Sequence, residues 1–310
     1  MLNPSPDTDA TSRRKPAWLK VRAPSGEEFT RLKALRRDLS LSTVCEEARC
    51  PNIGECWASG TATFMLMGDT CTRHCRFCNV KTGNPRGRLD GEEPARIAEA
   101  VRVMDLGYVV LTMVDRDDLP DGGAAHVNAC VAGIRAACPR TKVELLMGDF
   151  RARPDLLAEL AHGGAEVLAH NLETVEPLTK TVRDGKSGYR RSLESLRLLK
   201  AAAPRKLTKS SIMLGLGETA EQVQQTLTDL RAVGVNIVTF GQYLQPSPRH
   251  LPVHTFVPPD VFDAWKQVAD GMGFLFCASG PLVRSSYKAG EIFTEQYLRE
   301  RELDEATTGG

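Results

Sequence analysis

From about residue 61 onward, short apolar runs alternate with longer stretches of helical periodicity. The apolar runs fall near residues 63–67, 108–112, 143–146, 167–169, 211–214, 237–240 and 274–277, and their length and composition predict strands. Between them, residues 94–105, 125–137, 154–161, 192–202, 220–233 and 259–270 read as helices. Several open with proline or carry an early glutamate, as helix starts do. In the helix near Glu221, Val223, Leu227, Leu230 and Val233 recur at helical spacing. Strands alternating with helices predict a parallel sheet with crossover helices, an α/β fold. Six βα units and a final strand are too few to close an eightfold barrel, so the pattern predicts an open, partial (βα)6 TIM-type barrel. A doubly wound dinucleotide fold is the alternative, and no G-x-G-x-x-G opens the first helix to support it.

The barrel pattern spans about residues 61–280. Ahead of it, residues 1–15 read as a disordered tail rich in Pro, Ser, Thr and Asp, and residues 16–60 as an extension with a short helix near 29–37. Residues 281–310 form a C-terminal segment and tail.

Composition narrows the setting. The chain of 310 residues is 42% hydrophobic and 25% charged, enough for a sizeable core. Its net charge of +1 gives no electrostatic case for nucleic acid or an anionic membrane. No apolar run approaches the roughly 20 residues that span a bilayer. The N-terminus, MLNPSPDTDATSRRKP, has no apolar core of a secretory signal, and Asp7 and Asp9 argue against a mitochondrial presequence. The expectation is a cytoplasmic protein in a reducing compartment, where clustered thiols favour metal over disulfides.

Six of the nine cysteines sit in two triplets: Cys45, Cys50 and Cys56 in CEEARCPNIGEC, and Cys71, Cys75 and Cys78 in CTRHCRFC. Structural zinc closes with four ligands, usually in two pairs. A [4Fe–4S] cube has four irons, each needing an outside ligand, so a cysteine triplet leaves one iron open. A zinc knuckle using His74 is disfavoured because His74 abuts Cys75. Cys130, Cys138 and Cys277 read as buried structural thiols.

The C-x3-C-x2-C spacing at Cys71–Cys78, with Phe77 before the last cysteine, resembles the radical S-adenosylmethionine (SAM) enzymes. The wider C-x4-C-x5-C triplet resembles the auxiliary-cluster motif of the lipoyl synthase family. GDTCTRHCRFCNV, VDRDDLPDGGAAH, HNLETV, GLGET, GQYLQPS and GPLVRSSY resemble that family's blocks in the family's order, from about Cys45 to about Ala289. The resemblance implies two [4Fe–4S] clusters and SAM, the latter chelating the open iron held by Cys71, Cys75 and Cys78. It implies that Cys45, Cys50, Cys56 and the second serine of RSSY, Ser286, ligate the auxiliary cluster. Serine oxygen is a harder ligand than thiolate, a mismatch suited to a cluster that gives up sulfur.

The implied reaction places two sulfurs at C6 and C8 of an octanoyl chain on a lysine of a lipoyl carrier domain. Side-chain acids and bases do not ionise those C–H bonds, so a cofactor-borne radical is required. In the family scheme SAM yields a 5′-deoxyadenosyl radical, the chain carbon is activated, and the auxiliary cluster is the consumed sulfur source. Implied partners are octanoylated carriers (2-oxoacid dehydrogenase E2 subunits and the glycine cleavage H protein), an electron donor such as ferredoxin or flavodoxin, and an iron–sulfur carrier. Nucleic acid and membrane are not among them.

Each unusual block follows a predicted strand, which gathers them on the C-terminal rim of the barrel. Asn171 and Glu173 read as hydrogen-bond partners of the SAM ribose and amino-acid part, or as helix caps. Arg191 reads as a clamp on the SAM carboxylate or as a surface ion pair. Gly215 and Gly217 either admit the cosubstrate to the backbone or make a plain turn. In the run Asp115–Asp118, Asp115 is nearest the strand end and is the candidate for SAM's ammonium; internal ion pairs are the alternative. Met113, Gly148 and Ser211 depart from the residues usual in the family's blocks. Rival readings are a sulfur-inserting radical SAM enzyme acting on a biotin precursor or on tRNA, and a cluster carrier. The RSSY block and the first triplet argue against the former, and the absence of a ferredoxin-type C-x2-C-x2-C-x3-C run against the latter.

Overall fold

Seven parallel strands carry the fold: β2 (Thr63–Leu66), β5 (Tyr108–Met113), β6 (Lys142–Leu146), β7 (Val167–Ala169), β8 (Leu207–Leu214), β9 (Ile237–Gln242) and β10 (Phe276–Gly280). They pair in chain order, and a short β1 (Ser42–Thr43) adds antiparallel to β2 at the outer edge. In this computed structural model the described residues are 15–20, 27–39, 41–43, 47, 52–53, 63–286, 294 and 297–298. Among them β10 pairs with β9 alone, so the curved sheet stays open, as the count of βα units requires.

Strands buried on both faces read as continuous apolar runs, and YVVLTM of β5 is one. The crossover helices are α2 (Glu93–Val103), α3 (Ala124–Ala137), α4 (Pro154–His162), α6 (Tyr189–Ala202), α7 (Ala220–Ala232) and α8 (Pro259–Gly271), with α1 (Glu27–Asp38) in the extension and a single turn, α5 (Thr179–Val182), after β7. Proline opens α2, α4 and α8. Thr219 and Gln222 close a capping box on α7, each side chain bonding the other's backbone N–H.

Two strands differ from the sequence reading. β8 begins at Leu207 rather than near 211, because Lys209 and Ser210 are polar yet buried, on opposite faces of the strand. β10 runs to Gly280, past the apolar stretch. A miniature parallel pair, β3 (Thr70–Cys71) with β4 (Lys81–Thr82), brackets the second cysteine triplet. Cys130 and Cys277 are buried, and Cys138 is half-buried at the end of α3. Cys45, Cys50, Cys56 and the tail at 1–14 lie outside the described residues. No helix among the described residues is long and apolar enough to cross a membrane.

Candidate active site

A cavity of about 530 Å³ opens at the C-terminal ends of the strands. Cys71, Cys75, Cys78, Asp115, Asn171, Glu173 and Ser286 all line it. The loop carrying the triplet is tied to three others. Thr72 donates its N–H and its hydroxyl to the Asp115 carbonyl, both at 2.9 Å. The Arg76 N–H reaches the Val182 carbonyl at 2.9 Å, and His250 Nε2 donates to the Cys78 carbonyl at 3.0 Å.

Each sulfur accepts a backbone N–H: Arg73 to Cys71 and Asp184 to Cys75, both at 3.4 Å, and Val80 to Cys78. Burial nonetheless pushes the free thiols up, Cys75 to about 11 and Cys78 to about 12. Such thiols stay protonated near neutrality and need a metal to displace the proton. One group of three ligand types among the described residues converges within 4.8 Å, and it is Glu93, His126 and Cys130, not the triplet. That group closes on itself: Glu93 Oε2 takes the His126 Nε2–H at 2.6 Å and the Met67 N–H at 2.8 Å. The triplet's donor set therefore suits a multi-iron cluster better than one ion.

Behind the triplet, Arg73 is buried against three aspartates. Its guanidinium forks onto Asp149 at 2.8 and 2.9 Å, bonds Asp117 at 3.1 Å and lies 3.5 Å from Asp115. Burial opposes ionisation of Asp117, but Arg73 outweighs it and holds the carboxyl down to about 2. Asp115 has no such fork. Burial dominates and lifts it to about 6, with Arg73 opposing and Asp149 and Asp117 adding.

Asn171 and Glu173 face the cavity beyond β7. Burial raises the Glu173 carboxyl, and the Arg183 charge and a hydrogen bond from Asn171 lower it in part. Asn171 Oδ1 is buried without a partner among the described residues, and so is Nε of Arg183, whose side chain lines the same wall. Two orphaned polar atoms in one wall fit a polar cosubstrate that completes them.

The structure does not bring Arg191, Gly215 or Gly217 into the cavity lining. Arg191 is exposed and donates to the Lys186 carbonyl at 2.5 Å. Gly215 and Gly217 have φ of +95° and +107° in a turn that Glu218 closes by accepting the Gly215 and Leu216 N–H groups. A Cβ on Gly215 would lie 2.4 Å from the Thr255 carbonyl, so this glycine serves packing. Arg183, which no local pattern in the sequence singles out, lines the cavity instead, as does Arg284. Lys15, His170 and Arg73 also line the cavity unforeseen. The three atypical positions, Met113, Gly148 and Ser211, all line it as well.

Gly241 positions the segment with Ser286. A Cβ there would sit 2.1 Å from the Val283 carbonyl, a backbone atom that does not yield cheaply. Gly241→Ala is expected to displace residues 283–286; if Ser286 ligates an auxiliary cluster, as the resemblance implies, iron would fall from about eight toward about four per chain, at four irons per cube. Iron analysis with Mössbauer spectroscopy reads this directly.

Two buried groups set opposing pH dependences. Burial and Arg183 hold His170 down to about 4, against an ordinary 6.5, so the unfolded chain takes up a proton that the folded protein excludes. That contribution loses stability as the pH falls from about 6.5 to about 4. Asp115, raised to about 6, holds its proton more tightly when folded and loses stability as the pH rises through nearly the same window. Asp115→Asn is expected to unmask the histidine, with a thermal midpoint that falls on acidification more steeply than in the unchanged protein.

A barrel rim bearing a three-cysteine loop and an orphaned polar wall defines a class, and a profile of the Radical SAM superfamily matches residues 65–230. Two structures of Streptococcus suis SuiB share the fold. With precursor peptide SuiA bound, the TM-score is 0.54 at 10% identity over 74% of this chain and 52% of that one; with S-adenosylmethionine bound, it is 0.53 at 11% identity over 78% and 57%. Within the superfamily the chain belongs to the lipoyl synthase family. A profile of the N-terminal domain of lipoyl synthase matches residues 5–50. The mitochondrial lipoyl synthase of Eremothecium gossypii is 56% identical over 94% of this chain and 80% of that protein. That of Candida glabrata is 54% identical over 94% and 76%. The chain is thus a radical SAM sulfurtransferase whose cofactors are SAM and two [4Fe–4S] clusters, one of them auxiliary. These relatives also overturn the cytoplasmic expectation, since they carry mitochondrial names. Asp7 and Asp9, on which that expectation leaned, are two charges in a short terminal stretch and do not outweigh likeness along 94% of the chain.

Proposed function

We propose that the cavity is where the two sulfur atoms are inserted at C6 and C8 of an octanoyl-lysine carried on a lipoyl carrier domain. The observation that carries this is a pair of hydrogen bonds joining both cysteine segments and the C-terminal segment. Asn52, between Cys50 and Cys56, is buried and donates to the Leu282 carbonyl at 2.7 Å, four residues before Ser286. Asn79, beside Cys78, donates to the carbonyl of Glu47, between Cys45 and Cys50, also at 2.7 Å. A substrate carbon activated at one cluster and sulfurated at the other needs the two motifs side by side, and these bonds tie them together.

In this reading Cys71, Cys75 and Cys78 hold the SAM-binding cluster, and Cys45, Cys50, Cys56 and Ser286 the auxiliary one. When bound, SAM at the first cluster supplies the hydrogen-abstracting chemistry that no side chain provides. The chain's own residues bind, orient and exclude water. Asn171 Oδ1 accepts from a hydroxyl or ammonium donor, Arg183 faces a carboxylate, and Asp115 and Glu173 offer carboxyl oxygens that an ammonium would draw toward ionisation. Met65, Met113, Met147 and Met213 line the cavity, and their flexible thioethers suit an alkyl chain and keep the site dry. Residues 16–60 and 281–310 serve the auxiliary cluster, and 61–280 the SAM site. The carriers would be E2 subunits and the H protein, with a ferredoxin or flavodoxin as donor and an iron–sulfur carrier renewing the auxiliary cluster.

The test is anaerobic incubation of the reconstituted protein with SAM, a reductant and an octanoyl-lysine peptide, followed by mass spectrometry. The expected product has gained two sulfurs and lost two hydrogens. SAM cleavage with an unchanged peptide would retain the radical chemistry and remove the substrate assignment.

A further inference from the structure

Arg183 owes its place in the cavity wall to two buried side chains, His170 at the start of HNLETV and Ser192, to which the sequence assigns no role. His170, after β7, is 4% exposed, and Ser192, in α6, is fully buried. His170 Nδ1 lies 2.8 Å from the Met147 carbonyl and Nε2 lies 2.8 Å from Ser192 Oγ. Arg183 Nη1 lies 2.9 Å from the same Oγ and 3.3 Å from the Leu172 carbonyl.

The direction of every hydrogen bond in this chain follows from what each atom can do. A carbonyl only accepts, so the Met147 oxygen requires a proton on His170 Nδ1. Burial and the nearby Arg183 keep the ring neutral, so Nε2 is an acceptor. The Ser192 hydroxyl must then donate to Nε2, which turns its lone pairs toward Arg183, and a guanidinium only donates. Both Nη1 protons are thereby used, on Ser192 and Leu172, and the guanidinium plane is fixed. Its Nε, buried and without a partner among the described residues, is left on the free edge.

We propose that His170 and Ser192 form a one-directional relay that fixes the Arg183 guanidinium, so that its free edge clamps the carboxylate of the amino-acid-bearing cosubstrate. His170 and Ser192 are positioning residues, and only Arg183 touches the ligand. The inference rests on the reading that SAM occupies this cavity. It assigns the clamp to Arg183 rather than Arg191, and it explains a buried histidine that the radical chemistry does not use. An arginine free to rotate offers the same charge but loses the in-plane pair of bonds that makes guanidinium–carboxylate contacts strong.

The experiment measures the affinity of the cluster-reconstituted protein for SAM and for decarboxylated SAM, by equilibrium dialysis. The ratio of the two isolates what the carboxylate contributes, including its contact with iron, and changes in that ratio isolate the protein's share. Arg183→Gln is expected to shrink the ratio tenfold or more, about the worth of a charge-assisted hydrogen bond. Ser192→Ala and His170→Phe are expected to shrink it about tenfold, while affinity for decarboxylated SAM stays within about twofold. Histidine-selective 15N NMR should show His170 neutral with its proton on Nδ1.

An unchanged ratio in Arg183→Gln would remove Arg183 as the clamp. A collapsed ratio there with an unchanged one in Ser192→Ala and His170→Phe would overturn the relay alone. Equal weakening of both ligands in the Ser192 and His170 variants would make their role purely structural and likewise overturn it. If Ser192→Ala does not fold, Ser192→Cys keeps the volume and weakens only the bonds, and the same ratio is read. Neither failure disturbs the product-mass test of sulfur insertion, so the two readings fall separately.

Discussion

Cys78→Ala is expected to abolish SAM cleavage to the level of the blank and to reduce iron from about eight to about four per chain, at four irons per cube. Cys78 is the most enclosed of the three thiols, pushed up to about 12 chiefly by burial, with Cys75 and Cys71 adding to the shift. Without metal it is a neutral group; as the proposed cluster ligand it would be a thiolate, with the Val80 N–H as a donor to its sulfur. On the proposed ligand set, removing it would leave two thiolates for a cube that already has one iron open. Cys78→Ser should recover little, because an alkoxide is a harder ligand than iron–sulfur chemistry favours. Cys130→Ala, outside the cavity, should keep its iron and its activity. Retention of the full iron content and SAM cleavage by Cys78→Ala would move the cluster away from this loop.

The second large effect is on stability. Lys209→Met is expected to destabilise the fold by about 3–5 kcal/mol, the loss seen when one partner of a buried ion pair is removed. Lys209 on β8 and Glu144 on β6 meet inside the barrel, with Nζ 2.8 Å from each carboxylate oxygen, and both are almost wholly shielded from water. The Tyr108 hydroxyl donates to Glu144 Oε2 at 2.8 Å, completing the carboxylate's partners. Methionine fills the volume but leaves Glu144 a buried charge with one neutral donor. The double variant Glu144→Gln/Lys209→Met should recover most of the loss, since glutamine still accepts from Tyr108 and carries no charge. Thermal and urea unfolding of the single and double variants measure the coupling. A single variant as stable as the unchanged protein would show that the pair is not desolvated.

The alternation of apolar runs and helical stretches determined the open barrel, because a strand buried on both faces has no choice but to be apolar. The spacing of Cys71, Cys75 and Cys78 within one loop after β2 was equally legible, since ligands close in sequence are close in space whatever the rest of the chain does. The strand-then-motif order also determined that Asp115 and Asn171 share a rim, because parallel strands all end on one side. What the sequence could not carry is any pairing between distant, locally unremarkable polar residues. Lys209 hid the start of β8 because a lysine reads as surface until Glu144, 65 residues away, is seen beside it. Arg191 and Arg183 are indistinguishable as a pattern; only packing shows that one bonds a surface carbonyl while Ser192 and His170 hold the other in the cavity wall. Gly215 likewise turned out to serve a crowded turn, because what a missing Cβ avoids is a contact across the fold. Local chemistry and periodicity are written along the chain, whereas burial, and with it the strength and direction of every polar contact in the site, exists only once the chain has folded.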